Sequence, residues 1–410
     1  MPSPFPALSA RVRSTGGRLV RRLGLIPGGE PDGIGQDDEL GSRVLEQRVV
    51  AFFPEPPPNT YQLEQWLAPL RALDERHGVV LVTQDSRTTA RLRDVTTLPV
   101  LCISRTATLE GLVRRSSLAL ALYVSHHPRN FQMLRFPTLA HVYLGHGESD
   151  KAVSASNQLK AYDRTFVAGP AAEERVLREL MWFDRDRMVR IGRPQAPSPD
   201  TRPVSAQPTV LYAPTWEGAQ TSMAYSSVRT HGEALVRSLL AAGFQVVYRP
   251  HPRTGANRAD VAAADAALQA VLAEEPARRT GSVVETGAPL EAAFADADAL
   301  VTDVSSVAVE WLPTGRPLVV TVPAEAGAVV GESPLLDAVP RLTVQDAARA
   351  GELVRRCLSD DPERERRAAL VEHYLGGADP DAALARFLDA CEDVVRERDA
   401  LQTELTRAGR

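Results

Sequence analysis

The sequence predicts an α/β fold made of two parallel-sheet domains that face each other across a cleft. Most of its short apolar runs are continuous rather than alternating, which is typical of parallel strands covered on both faces. Segments with apolar residues at helical spacing, such as 61–77 and 171–183, separate these runs. A proline-rich stretch, 193–208, interrupts the alternation, which then starts again. We therefore expect two Rossmann-type domains joined by a short linker.

The alternation divides the chain into four parts: a basic leader with an acidic linker (1–45), a first domain (46–195), a second domain (209–375) and a last helix (379–410). The apolar residues of the last helix recur at helical spacing, so one of its faces should dock. Ligands of open parallel sheets bind at the carboxyl ends of the strands, which here face the cleft. The expected strands are 48–54, 79–84, 99–104, 119–125, 140–145, 165–168 and 188–192 in the first domain, and 209–214, 245–250, 282–285, 299–302, 317–322 and 342–344 in the second.

Composition places the chain among soluble globular proteins. It has 410 residues, of which 44% are apolar and 24% charged, enough for two cores. Its net charge of -5 gives no general attraction for nucleic acid, and we expect no nucleic-acid partner. The three cysteines form no CxxC pair, which favours neither a disulfide framework nor a zinc site. These features suggest the reducing cytoplasm.

The first 27 residues are unusual because they carry several arginines and no acidic residue. Apolar residues lie between the arginines, but no run is long enough for a secretory signal or a membrane span. Such a basic amphipathic segment either lies on an anionic membrane surface, as a peripheral contact, or is a disordered leader. The sequence leaves both interpretations open.

Several common catalytic motifs are absent from the sequence. It contains no P-loop, no GxGxxG, no HExxH and no G-x-S-x-G motif. This argues against nucleoside triphosphatases, dinucleotide enzymes, zinc proteases and serine hydrolases. Because no acidic metal-binding cluster is evident either, we expect no cofactor and no metal ion.

The strongest candidate site is the segment 139–151, where an apolar strand ends in Gly145-His146-Gly147 and charged residues follow. A histidine at the end of a strand suits a general base near neutral pH, and flanking glycines let a substrate approach the backbone. A structural histidine is the alternative. The neighbouring Glu148, Asp150 and Lys151 favour the functional interpretation.

A second candidate is Arg249-Pro250-His251-Pro252, which also follows a strand. Two prolines stiffen the turn and aim an imidazole and a guanidinium into the cleft, as binding of a phosphate requires. A turn with an incidental histidine is equally compatible with this segment.

A third candidate is the segment 298–307, in which a strand ends in Thr302-Asp303 and Ser305-Ser306 begins a helix. Backbone N–H groups at a helix start and serine hydroxyls can bind a diphosphate. Glu310, about one turn later, could accept hydrogen bonds from a ribose. Ordinary capping by either serine is compatible with this function.

A fourth, weaker candidate is the strand end 211–217, which carries Thr215 and Trp216. Trp216 could line the cleft or close the core. Polar residues thus collect at four strand ends across both predicted domains.

These four segments carry a family resemblance: Gly-His-Gly-Glu-Ser-Asp-Lys (145–151), Tyr-Ala-Pro-Thr-Trp-Glu (212–217), Arg-Pro-His-Pro (249–252) and Val-Thr-Asp-Val-Ser-Ser-Val (301–307). In order and approximate spacing they resemble the CDP-glycerol glycerophosphotransferase family, the teichoic acid primases and polymerases of Gram-positive bacteria. The segment 123–151, with Asn130, is similar to the actinobacterial branch. The resemblance covers roughly residues 118–390.

The resemblance implies a GT-B fold and metal-independent transfer of glycerol phosphate, or a related polyol phosphate, from a CDP-linked donor to an acceptor hydroxyl. CMP is released, and the acceptor is lipid-linked or polymeric. It also implies that His146 is the base and that His251 stabilises charge on the diphosphate. The implied donor-side residues are Arg249, Thr302, Asp303, Ser305, Ser306, Glu310, Thr215 and Trp216, and the implied acceptor-side residues are Gly147, Glu148, Asp150, Lys151 and Asn130.

The chain departs from the family pattern at three places. Gly145 stands where a tryptophan is usual, Glu148-Ser149-Asp150 replaces Thr-Pro-Leu, and Val304 stands where an aromatic residue is common. Two alternatives remain at this stage. One is a GT-B glycosyltransferase or epimerase that uses a UDP-sugar, and the other is a catalytically weak relative that acts as a binding or scaffold subunit in envelope assembly.

Overall fold

The computed structural model describes residues 36–148, 156–218, 220–287, 290–328 and 333–408. These residues form two sheets. The first contains Val49–Phe53 (β1), Val79–Thr83 (β2), Val100–Cys102 (β3), Leu120–Tyr123 (β4), Ala140–Tyr143 (β5), Arg164–Val167 (β6) and Met188–Arg190 (β7). The second contains Thr209–Ala213 (β8), Gln245–Tyr248 (β9), Val283–Val284 (β10), Ala299–Thr302 (β11), Leu318–Thr321 (β12) and Arg341–Leu342 (β13).

Both sheets are parallel and share one winding order. The strands lie in the order β3-β2-β1-β4-β5-β6-β7 in the first sheet and β10-β9-β8-β11-β12-β13 in the second. Every described strand pair is parallel. The predicted strands and their parallel arrangement are confirmed. In each sheet the order reverses beside the first strand, where a crevice opens at the carboxyl ends.

Helices cover both faces of each sheet, which explains why the strands are continuous apolar runs. In β1, Val49, Ala51 and Phe53 face one apolar cluster, whereas Val50 and Phe52 face another. The helices are Gln36–Glu39 (α1), Tyr61–Glu64 (α2), Leu67–His77 (α3), Ser86–Val95 (α4), Thr106–Arg115 (α5), Phe131–Leu134 (α6), Pro170–Glu179 (α7), Gly232–Ala241 (α8), Ala259–Leu272 (α9), Glu275–Thr280 (α10), Leu290–Asp296 (α11), Ser306–Trp311 (α12), Pro334–Asp337 (α13), Ala350–Ser359 (α14), Arg364–Leu375 (α15) and Pro380–Arg407 (α16).

The segment 61–77, whose apolar residues recur at helical spacing, forms two helices with a break at Gln65 and Trp66. At the break, Gln65 Nε2 donates to the carbonyl of His146 at 2.8 Å and Trp66 Nε1 donates to the carbonyl of Gly145 at 2.7 Å. The apolar period continues across the break, so hydrophobic spacing alone could not locate it.

The last helix, α16, docks as predicted, and its partner is the first sheet. Phe387, Leu388 and Cys391 belong to the apolar cluster that covers one face of that sheet. Arg48 beside β1 donates to Asp399 at 2.8 Å. The end of the chain therefore packs against the first sheet. Below, the first half is the part that contains the first sheet and the second half is the part that contains the second sheet, while the domain limits given above remain a prediction.

The proline-rich segment 193–208 is attached to the second half through buried charge. Asp298, which is fully buried, accepts from Arg202 at 3.2 Å and from Arg316 at 3.1 Å. Arg316 also pairs with Asp200. These contacts fix the linker where it enters β8. In the part of the chain described here, no helix is both long and apolar enough to span a bilayer.

Candidate active site

The two halves come into contact at the loop after β5. An atom at the Cβ position of Gly147 would lie 2.8 Å from Ser306 Cβ and 3.3 Å from Glu310 Oε1. Any side chain at this position would push the loop away from α12. Gly147 is thus the residue that lets the first half reach the start of the helix in the second.

His146, just before this glycine, is held in one tautomer by the backbone. Its Nδ1 lies 2.7 Å from the carbonyl oxygen of Val124 at the end of β4. A carbonyl can only accept, so Nδ1 carries the proton and Nε2 is the unprotonated nitrogen. Burial lowers the pKa of His146 below its usual 6.5, and the positive charge of Arg193 lowers it further, although the bond to Val124 acts in the opposite direction. His146 is therefore a neutral imidazole with a basic Nε2.

Arg193, the first residue of the linker, connects this loop to the second half. It is buried and donates to Gln65, whose amide supports the carbonyl of His146. It also donates to Glu310 of α12 at 3.3 Å. Glu310 thus lies in the cleft as predicted, but it is paired with a buried arginine. The sequence alone gave no indication of Arg193, because its partners are distant along the chain.

His251 is held in the opposite tautomer. The backbone N–H of Arg253 donates to its Nδ1 at 3.1 Å, so this nitrogen accepts and Nε2 carries the proton. The same local pattern occurs at the end of β4, where the N–H of Arg129 donates to Nδ1 of His127. In both places the sequence is His-Pro-Arg, so this short motif sets the tautomer.

The side chains around His251 form an aromatic and cationic wall. The ring of Trp216 stacks on it with centroids 6.2 Å apart and an interplanar angle of 26°. The guanidinium of Arg253 lies 3.9 Å from the centroid of Trp216. Glu217, which is buried, accepts from the N–H groups of Gly255 at 2.9 Å and Asn257 at 2.7 Å, and so holds the turn that carries His251. Trp216 lines the cleft, which settles the two options that its sequence allowed.

Tyr61, at the start of α2, lies between the two histidines. Its ring meets that of His146 edge-on at 6.3 Å and that of His251 edge-on at 5.7 Å. Sequence analysis missed this residue because nothing distinguishes it from the other aromatic residues near helix starts. It belongs to the first half yet contacts a histidine of the second, so it closes the cleft between them.

Arg249, which the sequence predicts to bind phosphate, has an acidic partner within the second half. It pairs with Glu285, which follows β10, so its charge is balanced within the protein. Arg253, two residues beyond His251, is the arginine beside the Trp216 and Tyr61 rings. The sequence could not show which arginine lies beside these rings, since the turn after β9 decides it.

Asp303 and Thr302 support the site from behind. The Asp303 carboxylate is fully buried and accepts from the N–H of Thr215 at 2.8 Å and of Ser227 at 3.2 Å, and from the Thr321 hydroxyl at 2.5 Å. Thr302 donates to the carbonyl of Ala213 at 2.6 Å. These two side chains join β11 to the loop after β8 and position Thr215, and their donor-side role stays a prediction.

Ser305 and Ser306 lie where the sequence predicts them, at the beginning of α12. Ser305 occupies the cap position, but its side chain makes no capping hydrogen bond to the helix. Its hydroxyl lies 3.4 Å from that of Thr302. Ser306 faces Gly147 across the cleft. The expected capping is thus absent at Ser305.

Two of the acceptor-side residues are engaged elsewhere. Glu148 accepts from Arg175 of α7 at 2.6 Å, and both side chains are largely buried. Asn130 is buried and donates to the carbonyl of Ser125 at 2.7 Å and to the hydroxyl of Tyr162 at 3.0 Å. Both side chains therefore have partners within the first half, and their acceptor-side role stays a prediction. Asp150 and Lys151 lie outside the described residues.

His126 is a further histidine of the first half that the sequence did not single out. Its ring stacks on Tyr143 with centroids 4.2 Å apart and nearly parallel planes. Burial lowers the pKa of His126 to about 4, with a smaller contribution from His146. It is thus a neutral group near the loop that carries His146. Within the described ranges, no group of three or more His, Cys, Asp or Glu side chains could hold a metal ion.

One stretch of the chain, which includes much of this cleft, matches a known protein family. Residues 145–326 match the family described as CDP-glycerol:poly(glycerophosphate) glycerophosphotransferase. This stretch contains both histidines, the loop after β8 and the start of α12. No curated protein matches the chain in sequence.

Solved structures show which fold the chain shares. The wall teichoic acid polymerase TagF, in a crystal soaked with CDPG, superposes with a TM-score of 0.56 at 13% identity, covering 95% of this chain and 99% of that one. HepE from Anabaena, in complex with UDP-glucose, gives 0.53 at 12% identity over 84% of this chain and 99% of that one. A glycosyltransferase from Rickettsia africae gives 0.53 at 9% identity, covering 85% and 99%.

The fold is therefore GT-B, as the resemblance implied, with the two sheets facing a common cleft. At these identities the structural likeness concerns the fold alone. The assignment to a family comes from the matched stretch, and the actinobacterial branch remains a prediction. Residues 145–326, which include both histidines, match the CDP-glycerol:poly(glycerophosphate) glycerophosphotransferase family.

Proposed function

We propose that this chain transfers glycerol phosphate, or a related polyol phosphate, from a CDP-linked donor to a hydroxyl of a teichoic-acid-like polymer and releases CMP. The observation that carries this proposal is the family match over 145–326, whose two histidines lie in one cleft in opposite tautomers. The similarity to UDP-sugar enzymes is limited to the fold, and no described feature of the cleft favours that alternative.

His146 is the base of the proposed reaction. Its Nε2 takes the proton of the acceptor hydroxyl, whose oxygen attacks the phosphorus that carries glycerol. A new phosphodiester bond forms, and the bond between the glycerol-bearing phosphorus and the bridging oxygen of the diphosphate breaks. Its electron pair leaves on the oxygen of CMP. A lowered pKa keeps Nε2 unprotonated near neutral pH. The backbone bond to Val124 keeps this nitrogen pointed away from the strand.

His251 acts on the donor side. Its Nε2–H can donate to a phosphate oxygen, and the turn that carries it is fixed by Glu217. Arg253, Ser305 and Ser306 are the other groups in this part of the cleft that can balance the charge of a diphosphate. Phosphoryl transfer requires positioning and charge stabilisation more than covalent participation by the protein. These groups supply both.

The acceptor is a polymer, and we propose that it is lipid-linked and reached from a membrane surface. The support is the basic, acid-free segment 1–27, which lies outside the described residues. Peripheral contact on the inner face of the plasma membrane would bring the cleft to such an acceptor.

Donor identity is tested by CMP release. We expect the purified chain to release CMP from CDP-glycerol or CDP-ribitol when a glycerol phosphate oligomer is present as acceptor, and to leave UDP-glucose and UDP-N-acetylglucosamine unchanged. Turnover of a UDP-sugar in the absence of CMP release would overturn the proposed function. Nucleotide binding without turnover of any donor would favour the scaffold alternative.

The roles of the histidines are tested by substitution. His146→Ala and His251→Ala should each lower kcat about 100-fold or more, because each removes a proton-transfer or charge-stabilising group. His77→Ala is the matched control, since His77 ends α3 just before β2, at the amino-terminal end of the strands and away from the cleft. Near-normal kcat in either folded cleft variant would contradict the mechanism.

The pH dependence tests the state of His146. The base must be unprotonated, so kcat/KM should fall as the pH drops through the pKa of His146, and this acidic limb should lie below pH 6.5. The limb should persist in the residual activity of His251→Ala and disappear in that of His146→Ala. An acidic limb above pH 6.5 that depends on His146 would refute the assigned environment.

Membrane contact is tested with vesicles of phosphatidylglycerol and phosphatidylcholine. The full chain should co-sediment with them at low salt, and removal of residues 1–27 should abolish this, because the arginines of that segment supply the attraction. Equal co-sedimentation of both forms would remove the support for this part of the proposal.

A further inference from the structure

Tyr61 occupies the position between the proposed base and the proposed donor-side histidine. The edge-on contacts, at 6.3 Å to His146 and 5.7 Å to His251, place its ring against both imidazoles. In an in-line transfer, the acceptor hydroxyl lies at the base and the leaving phosphate at the opposite side. The phosphorus under attack must lie between them, in the space that Tyr61 borders.

The hydroxyl of Tyr61 is suited to donate a hydrogen bond. Its contact with Gln62 Nε2 is long, 3.5 Å, and uses an oxygen lone pair, so the hydroxyl proton is not consumed by it. Burial raises the pKa of this phenol above its ordinary value of 10.0 and outweighs the lowering by the Gln62 hydrogen bond and by Arg253. Tyr61 therefore remains a neutral O–H group at any working pH.

Charges of both halves surround this hydroxyl. Arg253 and Glu310 belong to the second half, and Glu55 follows β1 in the first. A carboxylate alone would repel the negatively charged phosphoryl group. The neutral Tyr61 hydroxyl, which lies near one cation and two acids, can donate to the phosphoryl oxygens without adding charge. The arrangement suits a group whose negative charge is spread over several oxygens during transfer.

We propose that Tyr61 is a further catalytic residue, whose hydroxyl donates a hydrogen bond to a non-bridging oxygen of the glycerol-bearing phosphoryl group as it moves from CMP to the acceptor. This inference rests on the proposed function. Tyr61 comes from the first half and the diphosphate is held by the second, so the contact forms only when the cleft is closed. The same side chain thus closes the cleft and stabilises the phosphoryl group that is transferred.

A purely structural role makes a different prediction. If the ring only closes the cleft against the two histidines, Tyr61→Phe should retain activity, because phenylalanine keeps the edge-on contacts. If the hydroxyl acts on the phosphoryl group, the same substitution should lower turnover. Tyr61→Leu removes both the ring and the hydroxyl, and therefore reports on closure as well.

The test is steady-state CMP release with CDP-glycerol as donor and tri(glycerol phosphate) as acceptor. For Tyr61→Phe we expect kcat to fall by about 10- to 100-fold, on the scale of a lost transition-state donor. The donor KM should change less than about three-fold, because the lost bond acts on the transferring group rather than on the nucleotide. The acidic limb of the pH profile should stay where it is in the wild-type chain.

Tyr248→Phe is the matched control. Its hydroxyl bonds to Asp265 at 2.6 Å, on the side of β9 that faces α9, so the variant loses a tyrosine hydroxyl away from the cleft. We expect its kcat to match the wild type. Thermal unfolding of both variants shows whether a fall in kcat reflects an unfolded fraction.

Two results would overturn the inference. Wild-type kcat in Tyr61→Phe would show that the hydroxyl does not act, and a raised donor KM with unchanged kcat would place its role in ground-state binding. Failure of the proposed function is distinguishable, because wild-type protein would then release no CMP from either CDP-polyol. In that case the same comparison is made with whichever UDP-sugar the wild type turns over.

Discussion

The approach of Gly147 to the start of α12 is the constraint on which the rest of the site depends. With 2.8 Å between the Gly147 Cβ position and Ser306 Cβ, the loop after β5 touches the helix that follows β11. That contact brings two separate sheets to one reaction centre. Arg193 reinforces it, since this buried arginine bonds to the support of His146 and to Glu310. A side chain larger than hydrogen at Gly147 would push the loop that carries His146 away from α12.

Backbone groups then decide what each histidine can do. The carbonyl of Val124 fixes the proton of His146 on Nδ1, and the N–H of Arg253 fixes that of His251 on Nε2. One ring thereby offers a basic nitrogen and the other a proton donor at the same position of the ring. No ion pair to either imidazole is required for this division of roles. Two strand ends and their turns create it, with Tyr61 between them.

Regular periodicity and strand-end polarity predict much of this structure. Continuous apolar runs predicted the strands of the described residues, because this feature is local. The glycines beside His146 were predicted to admit a substrate, whereas the structure places Gly147 against the start of α12. Contacts between distant segments could not be predicted in this way. Asp303 resembles a ligand in sequence, yet its carboxylate is consumed by the loop that carries Thr215. Arg249 is predicted to bind phosphate because the sequence does not show its pairing with Glu285.

The central claim is that the two histidines hold opposite tautomers across one closed cleft. Long-range ¹H–¹⁵N correlation spectra of protein labelled in its eight histidines measure this directly. Signals are assigned with His146→Gln and His251→Gln. At about pH 7 we expect a neutral ring protonated on Nδ1 for His146 and one protonated on Nε2 for His251. The same tautomer at both positions, or a doubly protonated His146, would contradict the account.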